Sequence, residues 1–229
     1  MIAEIGHFAL ILALVLSVVQ CVLPLVGAAR GIGSWMALAR TAAYANALFL
    51  TISFGTLAYS FYISDFTLLN VASNSNSLLP WFYKVAATWG SHEGSILFWA
   101  LMLTWWGFLV ALTSRKLPQE TVARVLGVMG FITAGFVAFM LFTSNPFLRL
   151  FPAAPEGADL NPLLQDPGMA FHPPLLYMGY VGFTVPFAFA IAALIAGRLD
   201  AVWARWMRPW TTMAWILLTL GISLGSCWS

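Results

Sequence analysis

Charged residues are scarce in this sequence. Only 8% of its 229 residues are Asp, Glu, Lys or Arg, whereas 61% are hydrophobic. A soluble globular domain carries about 25% charged residues, so this chain could not cover its own surface in water. Lipid is therefore expected to be the solvent for much of that surface. The net charge of +2 is also too small to indicate a strongly basic face, and no nucleic-acid partner is expected.

The sequence also lacks a cysteine framework and a secretory signal. The two cysteines, Cys21 and Cys227, form neither a C-x-x-C pair nor a zinc pattern nor a disulfide framework. A secretory signal needs a basic stretch before a short apolar run, but the only charge before the first run is that of Glu4. That run, residues 8–27, is long enough to cross a membrane.

The hydrophobic runs predict six membrane-spanning helices. Each run is close to the roughly 20 residues that cross the hydrocarbon core of a bilayer, and lipid cannot satisfy the open edge of a strand. Pro186 is expected to kink the fifth span. The predicted fold is an all-α polytopic membrane protein with a single transmembrane domain over residues 1–229. The predicted spans are residues 8–27, 41–63, 96–112, 122–142, 175–197 and 209–227.

Basic residues predict the orientation of these helices. Eight of the ten Lys and Arg residues fall on one side of the six spans, and such residues favour the cytoplasm. Lys84 and Arg149 are the two on the other side. Both termini are therefore expected on the outer side, with all three histidines and the long loops 64–95 and 143–174. The eight residues are Arg30, Arg40, Arg115, Lys116, Arg124, Arg198, Arg205 and Arg208.

The predicted span cores contain no Asp, Glu, Lys, Arg or His. Ion-coupled transporters and proton pumps usually carry such groups at mid-membrane, so this class of function is disfavoured. A haem held in mid-membrane by this chain alone is disfavoured for the same reason, because it would need histidines on facing helices. Any chemistry is expected at the outer surface.

The first outer motif is WGSHEGS, residues 89–95, and it has two interpretations. In the first, it is simply a helix N-terminus, where Ser91 is the cap and Glu93 lies at the positive end of the helix dipole. In the second, it is a polar binding site that includes Trp89, in which His92 or Glu93 contacts a ligand or a partner. The residues alone leave both interpretations open.

The second outer motif is DPGMAFHPPLLY, residues 166–177. Pro173 restricts His172 to an extended backbone, and proline is tolerated in the first turn of a helix. His172 is therefore expected near the cap of the fifth span, at the membrane interface. A stiff backbone of this kind, with Pro174 following, suits an axial metal ligand. The alternative is an interfacial histidine packed among aromatic side chains, which is also the interpretation of His7.

Four segments resemble the CcmF family of cytochrome c maturation proteins: residues 83–95, 145–147, 159–167 and 172–180. The related nitrite-reductase haem-attachment proteins share much of this pattern. The resemblance implies a haem-handling subunit of a haem lyase complex at the outer, periplasmic face of the bacterial inner membrane. Haem b, the substrate, would come from the haem chaperone CcmE. With CcmH-type partners, it would be joined to two thiols of apocytochrome c. This chain then needs no catalytic residues of its own.

The resemblance also implies roles for individual residues. His172 corresponds to one of two axial haem ligands that flank a tryptophan-rich segment, with Pro173 and Pro174 beside it. Trp89, His92 and Glu93 carry over only as a candidate outer-face site. Family members continue into the tryptophan-rich segment where this chain reads GSCWS. The chain is therefore expected to be a truncated or split N-terminal part with an incomplete haem site, not active alone.

Two other hypotheses belong to different classes. In one, the chain is a structural membrane scaffold that docks assembly partners through its outer loops. In the other, it transports an apolar solute, which the absence of mid-membrane polar groups makes the weakest interpretation.

Overall fold

The computed structural model describes residues 1–197 and 201–228, and within them the chain is helical, with no named strand. Six helical segments are long and apolar enough to cross a membrane, which confirms the predicted fold class. Arg198 and Ser229, which entered the sequence argument, lie outside the described residues. The α-helices are α1 (Ile2–Arg30), α2 (Gly33–Tyr62), α3 (Leu69–Asn74), α4 (Trp81–Gly90), α5 (His92–Thr113), α6 (Gln119–Thr143), α7 (Pro167–Gly182), α8 (Thr184–Ala196) and α9 (Ala201–Trp228).

Contacts at the two ends of the helices show that neighbouring spans run antiparallel. At one end, the Asn145 side chain, just beyond α6, lies 3.2 Å from the ring of His7 near the start of α1. At the opposite end, the guanidinium of Arg40 in α2 donates to the Ser114 carbonyl after α5 at 2.8 Å. The first end carries the long loops and is called the outer end here. The second is called the basic end.

A bundle of α1, α2, α5 and α6 forms the main core, and a buried polar contact joins three of its helices. The side-chain amide of Gln20 in α1 donates to the carbonyl of Leu126 in α6 at 2.8 Å. The amide of Asn46 in α2 lies 2.8 Å from that of Gln20. A Cβ added to Gly130 would come within 3.0 Å of the Gln20 side chain. The glycine therefore lets α6 approach α1 closely enough for this contact.

The fifth span consists of two helices rather than one kinked helix. Helix α7 ends at Gly182 and α8 starts at Thr184, with a turn at Phe183 between them. Pro186 explains the break, because it has no N–H to donate to the Gly182 carbonyl four residues earlier. The predicted interruption is confirmed, and the structure places it before the proline.

Helix α7 also begins earlier than the predicted start of the span at residue 175. Asp166 is its N-cap, since the carboxylate accepts from the N–H of Gly168 at 2.7 Å. Pro167 follows at the first helical position, where it needs no amide partner. The expectation that Pro173 lies in the first turn of the helix is wrong for this reason.

The two long outer loops pair with each other and cover the bundle as one layer. The N–H of Leu69 donates to the Leu148 carbonyl at 2.9 Å, and the N–H of Leu150 donates to the Thr67 carbonyl at the same distance. Helices α3 and α4 belong to this layer. Backbone pairing therefore gives both loops a defined conformation above the spans.

Candidate functional site

The first outer motif forms a tight turn between α4 and α5. Ser91 is the N-cap of α5, and its hydroxyl accepts from the N–H of Gly94 at 3.1 Å. A Cβ on Gly94 would overlap the carbonyl oxygen of Thr88, so the turn requires glycine there. The predicted capping role of Ser91 is confirmed.

The three candidate side chains of this motif lie in different environments. Trp89 is half-buried and stacks on Phe98 of α5, with ring centroids 5.7 Å apart. His92 is exposed on the outer surface, and Glu93 is half-buried in the first turn of α5. Trp89 therefore stabilises the turn by packing, whereas His92 presents its ring to the surroundings.

Side chains of α5 and α7 connect the two outer motifs. The hydroxyls of Ser95 and Tyr177 form a hydrogen bond between these helices. The ring of Phe98 meets that of Tyr177 edge to face, at a centroid distance of 5.6 Å. Because Phe98 also stacks on Trp89, an aromatic chain runs from the first motif to the second.

His172 lies inside α7, half-buried, with its ring against α9. Its Nδ1 atom is 2.8 Å from the carbonyl oxygen of Gly221. A carbonyl oxygen only accepts hydrogen bonds, so Nδ1 is the donor. Neutral imidazole in this tautomer carries its lone pair on Nε2. Metal-binding histidines are commonly oriented by such a bond from the other ring nitrogen to a carbonyl.

Two glycines of α9 shape the contact with this histidine. A Cβ added to Gly225 would lie 2.7 Å from the Cε1 atom of His172. A Cβ added to Gly221 would lie 2.8 Å from the backbone nitrogen of Leu176. The spacing is the G-x-x-x-G pattern that lets membrane helices approach closely. Without side chains at these positions, α9 leaves just enough room for the imidazole.

The close approach continues along α7 with two more glycines. A Cβ on Gly179 would overlap the backbone of Leu218, and one on Gly182 would lie 2.9 Å from the Cβ of Ala214. The four glycines at positions 179, 182, 221 and 225 are called the glycine seam here. The seam holds the backbones of α7 and α9 together and so fixes the position of His172 relative to α9.

Pro173 is buried and Pro174 is half-buried, both within α7. Neither proline has an N–H, so the carbonyls of Met169 and Ala170 lack their usual helical donors. The outer turns of α7 therefore hold the His172 ring in a defined position but lack two of the backbone hydrogen bonds of a regular helix.

The two motifs do not converge on one pocket. His172 contacts α9, whereas Tyr177, five residues later, contacts α5. Five residues correspond to a rotation of roughly 140° between side chains on a helix. The structure thus joins the motifs through α7 but directs His172 away from the side that meets Trp89.

His7 has a packing role at the outer end of the bundle. The Asn145 amide lies 3.2 Å from its Nδ1 atom, and its ring meets that of Phe147 edge to face at 6.3 Å. Among the residues that the structure describes, no three His, Cys, Asp or Glu side chains are grouped to hold a metal.

Sequence reasoning missed the partners of His172. Gly221 lies 49 residues from it in the chain, and the G-x-x-x-G spacing at 221–225 was the signal that could have revealed a close helix contact. It also missed the hydrogen bond between Ser95 and Tyr177, which no local pattern indicates.

The fold and this site define a multi-pass helical membrane protein whose outer end holds a histidine between two closely packed helices. The sequence model of the family described as "Cytochrome C assembly protein" matches residues 89–229. The chain belongs to this family.

Known proteins extend the similarity to the whole chain. The chain is 60% identical over 230 residues to the cytochrome c-type biogenesis protein CcmF of Pseudomonas aeruginosa, covering 100% of this chain and 35% of that protein. The identity to Escherichia coli CcmF is 56%, covering 100% and 36%. NrfE of Haemophilus influenzae is 48% identical, with 100% and 36% covered.

A solved structure has the same fold. It is titled "Cytochrome c Heme Lyase CcmF" and superposes with a TM-score of 0.84 at 30% sequence identity, over 96% of this chain and 35% of that one. The chain therefore spans about a third of the length of the relatives that it matches.

Proposed function

We propose that this chain is a haem-handling part of a cytochrome c assembly complex, with haem as substrate and His172 as one axial ligand of its iron. The hydrogen bond from Nδ1 of His172 to the Gly221 carbonyl carries this proposal. It selects the tautomer with the lone pair on Nε2 and orients the ring. The names of the relatives, cytochrome c-type biogenesis proteins and a haem lyase, support the same function.

The glycine seam supports a ligand role more than a packing role for His172. Gly225 leaves room for the imidazole, and the close contact at Gly221 brings its carbonyl to the Nδ1 atom of His172, so the ring is held in one orientation. One histidine supplies one of the two axial positions of haem iron. The second ligand and the remainder of the haem site come from elsewhere in the complex.

The proposed setting is the inner membrane of a bacterium, with the outer end in the periplasm. Among the nine Lys and Arg residues that the structure describes, seven lie at or near the basic end, which supports this orientation. The proposed partners are the haem chaperone CcmE, CcmH-type proteins and apocytochrome c. The thiols of apocytochrome c would supply the nucleophiles, so His172 and its neighbours would only bind and orient haem. The higher identity to CcmF than to NrfE favours the general cytochrome c branch.

The test compares His172→Ala with His92→Ala in cells that carry the complete assembly system. His172→Ala should reduce holo-cytochrome c, detected by haem staining, at least tenfold while the membrane level of the protein is unchanged. Added imidazole should restore part of the loss, because it can supply the missing ligand. His92→Ala, which alters an exposed histidine at the same end, should have less than a twofold effect. Normal cytochrome assembly with His172→Ala would exclude the ligand role.

A scaffold that docks partners through the outer layer is the second candidate. Three large apolar side chains of this layer are strongly exposed: Leu78 (92%), Trp81 (67%) and Phe151 (97%). If docking is the main function, Leu78→Ser and Phe151→Ser should abolish co-purification of assembly proteins, and His172→Ala should not impair assembly. Trp89 and Glu93 are weaker positions for this test, because Trp89 packs on Phe98 and its loss would disturb the turn.

A further inference from the structure

Helix α7 is attached to α5 by two hydrogen bonds at adjacent residues. The hydroxyl of Tyr177 is bonded to that of Ser95, and the indole N–H of Trp106 donates to the Met178 carbonyl at 3.0 Å. Trp106 is buried and Tyr177 is half-buried. Hydrogen bonds in such low-dielectric surroundings are stronger than in water. The middle of α7 is therefore held on the side that faces α5.

Ser95 is a firm point of attachment because the start of α5 is tightly fixed. Its N–H donates to the carbonyl of the N-cap residue Ser91 at 2.8 Å, and Gly94 beside it packs on the Thr88 carbonyl. Among the six candidate spans, α5 has the most buried apolar stretch, at 56%. Helix α5 thus provides a fixed reference for the placement of α7.

Tyr177 and His172 face different neighbours of α7. A helix with its side chains has a radius of roughly 5–6 Å, so a rotation of α7 by about 10° would move the His172 ring by about 1 Å. A shift of that size is enough to break the 2.8 Å contact between Nδ1 and the Gly221 carbonyl. Moving Tyr177 away from Ser95 would permit this rotation. The bond between the two hydroxyls therefore opposes it.

Two further features make this bond important for the ring. Pro173 and Pro174 lie between His172 and Tyr177, and each fixes its own φ angle, so the link between the two side chains is stiff. The glycine seam fixes the distance between α7 and α9. Glycine has no side chain that interlocks with a facing helix, so the seam opposes rotation less than a side-chain hydrogen bond does.

We propose that Tyr177 is a positioning residue for His172: its hydrogen bond to Ser95 fixes the rotation of α7 and keeps the Nδ1 atom at the Gly221 carbonyl. The geometry stands on the protein alone, whereas the consequence for haem rests on the proposed function. A bond from the other ring nitrogen orients a metal-binding imidazole and raises its basicity. The alternative is that Tyr177 only packs, through its edge-to-face contact with Phe98.

The first test observes the His172 ring without haem. The purified full chain in detergent, with isotope-labelled histidine, should show by NMR a ring proton on Nδ1 that exchanges slowly and is absent from His172→Ala. Tyr177→Phe removes one oxygen and keeps the ring beside Phe98. The His172 proton should then exchange about fivefold faster, the factor that corresponds to one net hydrogen bond.

Ser95→Ala breaks the same bond from the other side. It should speed the exchange as much as Tyr177→Phe, and the double variant should add nothing further. Ser95→Thr keeps a hydroxyl and should stay within about twofold of the wild-type rate. Additive effects of Tyr177→Phe and Ser95→Ala would mean that the two residues act separately and would overturn the proposal.

The matched control is Tyr180→Phe, which removes the hydroxyl of a tyrosine of the same helix that is 62% exposed. It should leave the exchange of the His172 proton unchanged. If Tyr177→Phe leaves it unchanged as well, Tyr177 only packs and the positioning role is wrong.

The second test uses the complete assembly complex loaded with haem. Tyr177→Phe should raise the reduction potential of the haem, because a less basic imidazole stabilises ferric iron less, and Tyr180→Phe should not. Faster ring exchange together with haem that is insensitive to both Tyr177→Phe and His172→Ala would support the positioning role and refute the ligand role. Unchanged ring exchange would overturn the positioning role whatever the haem does.

Discussion

The bundle of α1, α2, α5 and α6 and the pair formed by α7 and α9 are held together by different chemistry. In the bundle, half of the most apolar 18-residue stretch of α6 is buried. Side chains such as those of Gln20 and Asn46 also form hydrogen bonds between helices. In the pair, only 11% of the most apolar 18-residue stretch of α9 is buried. Its contact with α7 depends on backbones that meet at the glycine seam.

This difference indicates how the site residue is positioned. A bundle that packs on several sides tolerates small shifts at one contact, because the others remain. Among the residues that the structure describes, α9 packs mainly on α7, so the seam sets where the Gly221 carbonyl lies and hence how His172 is oriented. The proposed ligand is thus held by the less buried of the two regions, and its geometry depends on four glycines.

The largest effect is expected from a substitution in the seam. In Gly179→Ala the new Cβ would overlap the backbone of Leu218, and α9 would have to move. Overpacking of this kind costs about 1–3 kcal/mol and more where only backbone can yield. We expect the local opening free energy of α9, measured by hydrogen–deuterium exchange of its amides in detergent, to fall by about 3 kcal/mol.

The matched control for the seam is Gly55→Ala in α2. A Cβ there would meet no atom within 4 Å, and alanine favours the helix over glycine by up to about 1 kcal/mol. Exchange in α9 should be unchanged in this variant. If Gly179→Ala also leaves α9 protected, the glycines are not what holds the pair together.

A smaller effect is expected in the bundle. Gln20→Leu removes the bond to the Leu126 carbonyl and leaves the buried Asn46 amide without its Gln20 partner, at a cost of about 1–2 kcal/mol. Asn46→Leu should cost a similar amount. The double variant should cost less than the sum, because no buried amide then remains unpaired. The measurement is reversible unfolding in mixed micelles with increasing dodecyl sulfate.

Ser17→Ala is the control for this polar contact. The Ser17 hydroxyl donates to the Leu14 carbonyl of its own helix at 2.9 Å, so its removal should change the unfolding free energy by less than about 0.5 kcal/mol. Strict additivity of Gln20→Leu and Asn46→Leu would show that the two amides stabilise the bundle independently.

The smallest effect concerns the outer layer above the bundle. The hydroxyl of Ser77 donates to the Glu156 carboxylate at 2.6 Å, and the N–H of Gly157 donates to it at 3.0 Å. These bonds hold the pKa of Glu156 below its ordinary value. The contact is therefore present at neutral pH and is lost as the pH falls through this lowered pKa. Ser77→Ala should raise the pKa of Glu156 toward the ordinary value, so that the remaining bonds of this carboxylate are lost at a higher pH.

Carboxyl NMR titration of Glu156 would measure this shift. Ser73→Ala, at an exposed serine of the same layer, should leave the titration unchanged. An identical pKa in Ser77→Ala would show that the hydroxyl does not stabilise the ionised carboxylate.

The number of spans and the cap of α5 could be predicted because they depend on local sequence. Apolar runs of about 20 residues identify spans, and Ser91 followed by Glu93 is a helix-start pattern. The start of α7 could have been predicted too, since Asp166 and Pro167 are a cap and a favoured first residue. The apolar run that predicted the span begins later than this cap.

Two features, one in the candidate site and one in the bundle, depend on tertiary packing and could not be predicted in this way. The bond between His172 and Gly221 joins residues 49 apart, and its partner is a carbonyl that every residue possesses. The contact between Gln20 and Asn46 joins uncharged side chains on two helices, so the pattern of charged residues does not indicate it. An uncharged amide costs less than a charged group to place in a membrane-spanning helix. A buried amide still indicates which helices are in contact.

The paired prolines of α7 have one more consequence, which concerns depth. The carbonyls of Met169 and Ala170 lack helical amide donors because Pro173 and Pro174 have no N–H. In hydrocarbon, each such group costs several kcal/mol, so these carbonyls need water or lipid headgroups nearby. Sliding α7 inward by one turn would bury them. The prolines therefore keep the outer turns of α7, and with them the His172 ring, close to the membrane surface.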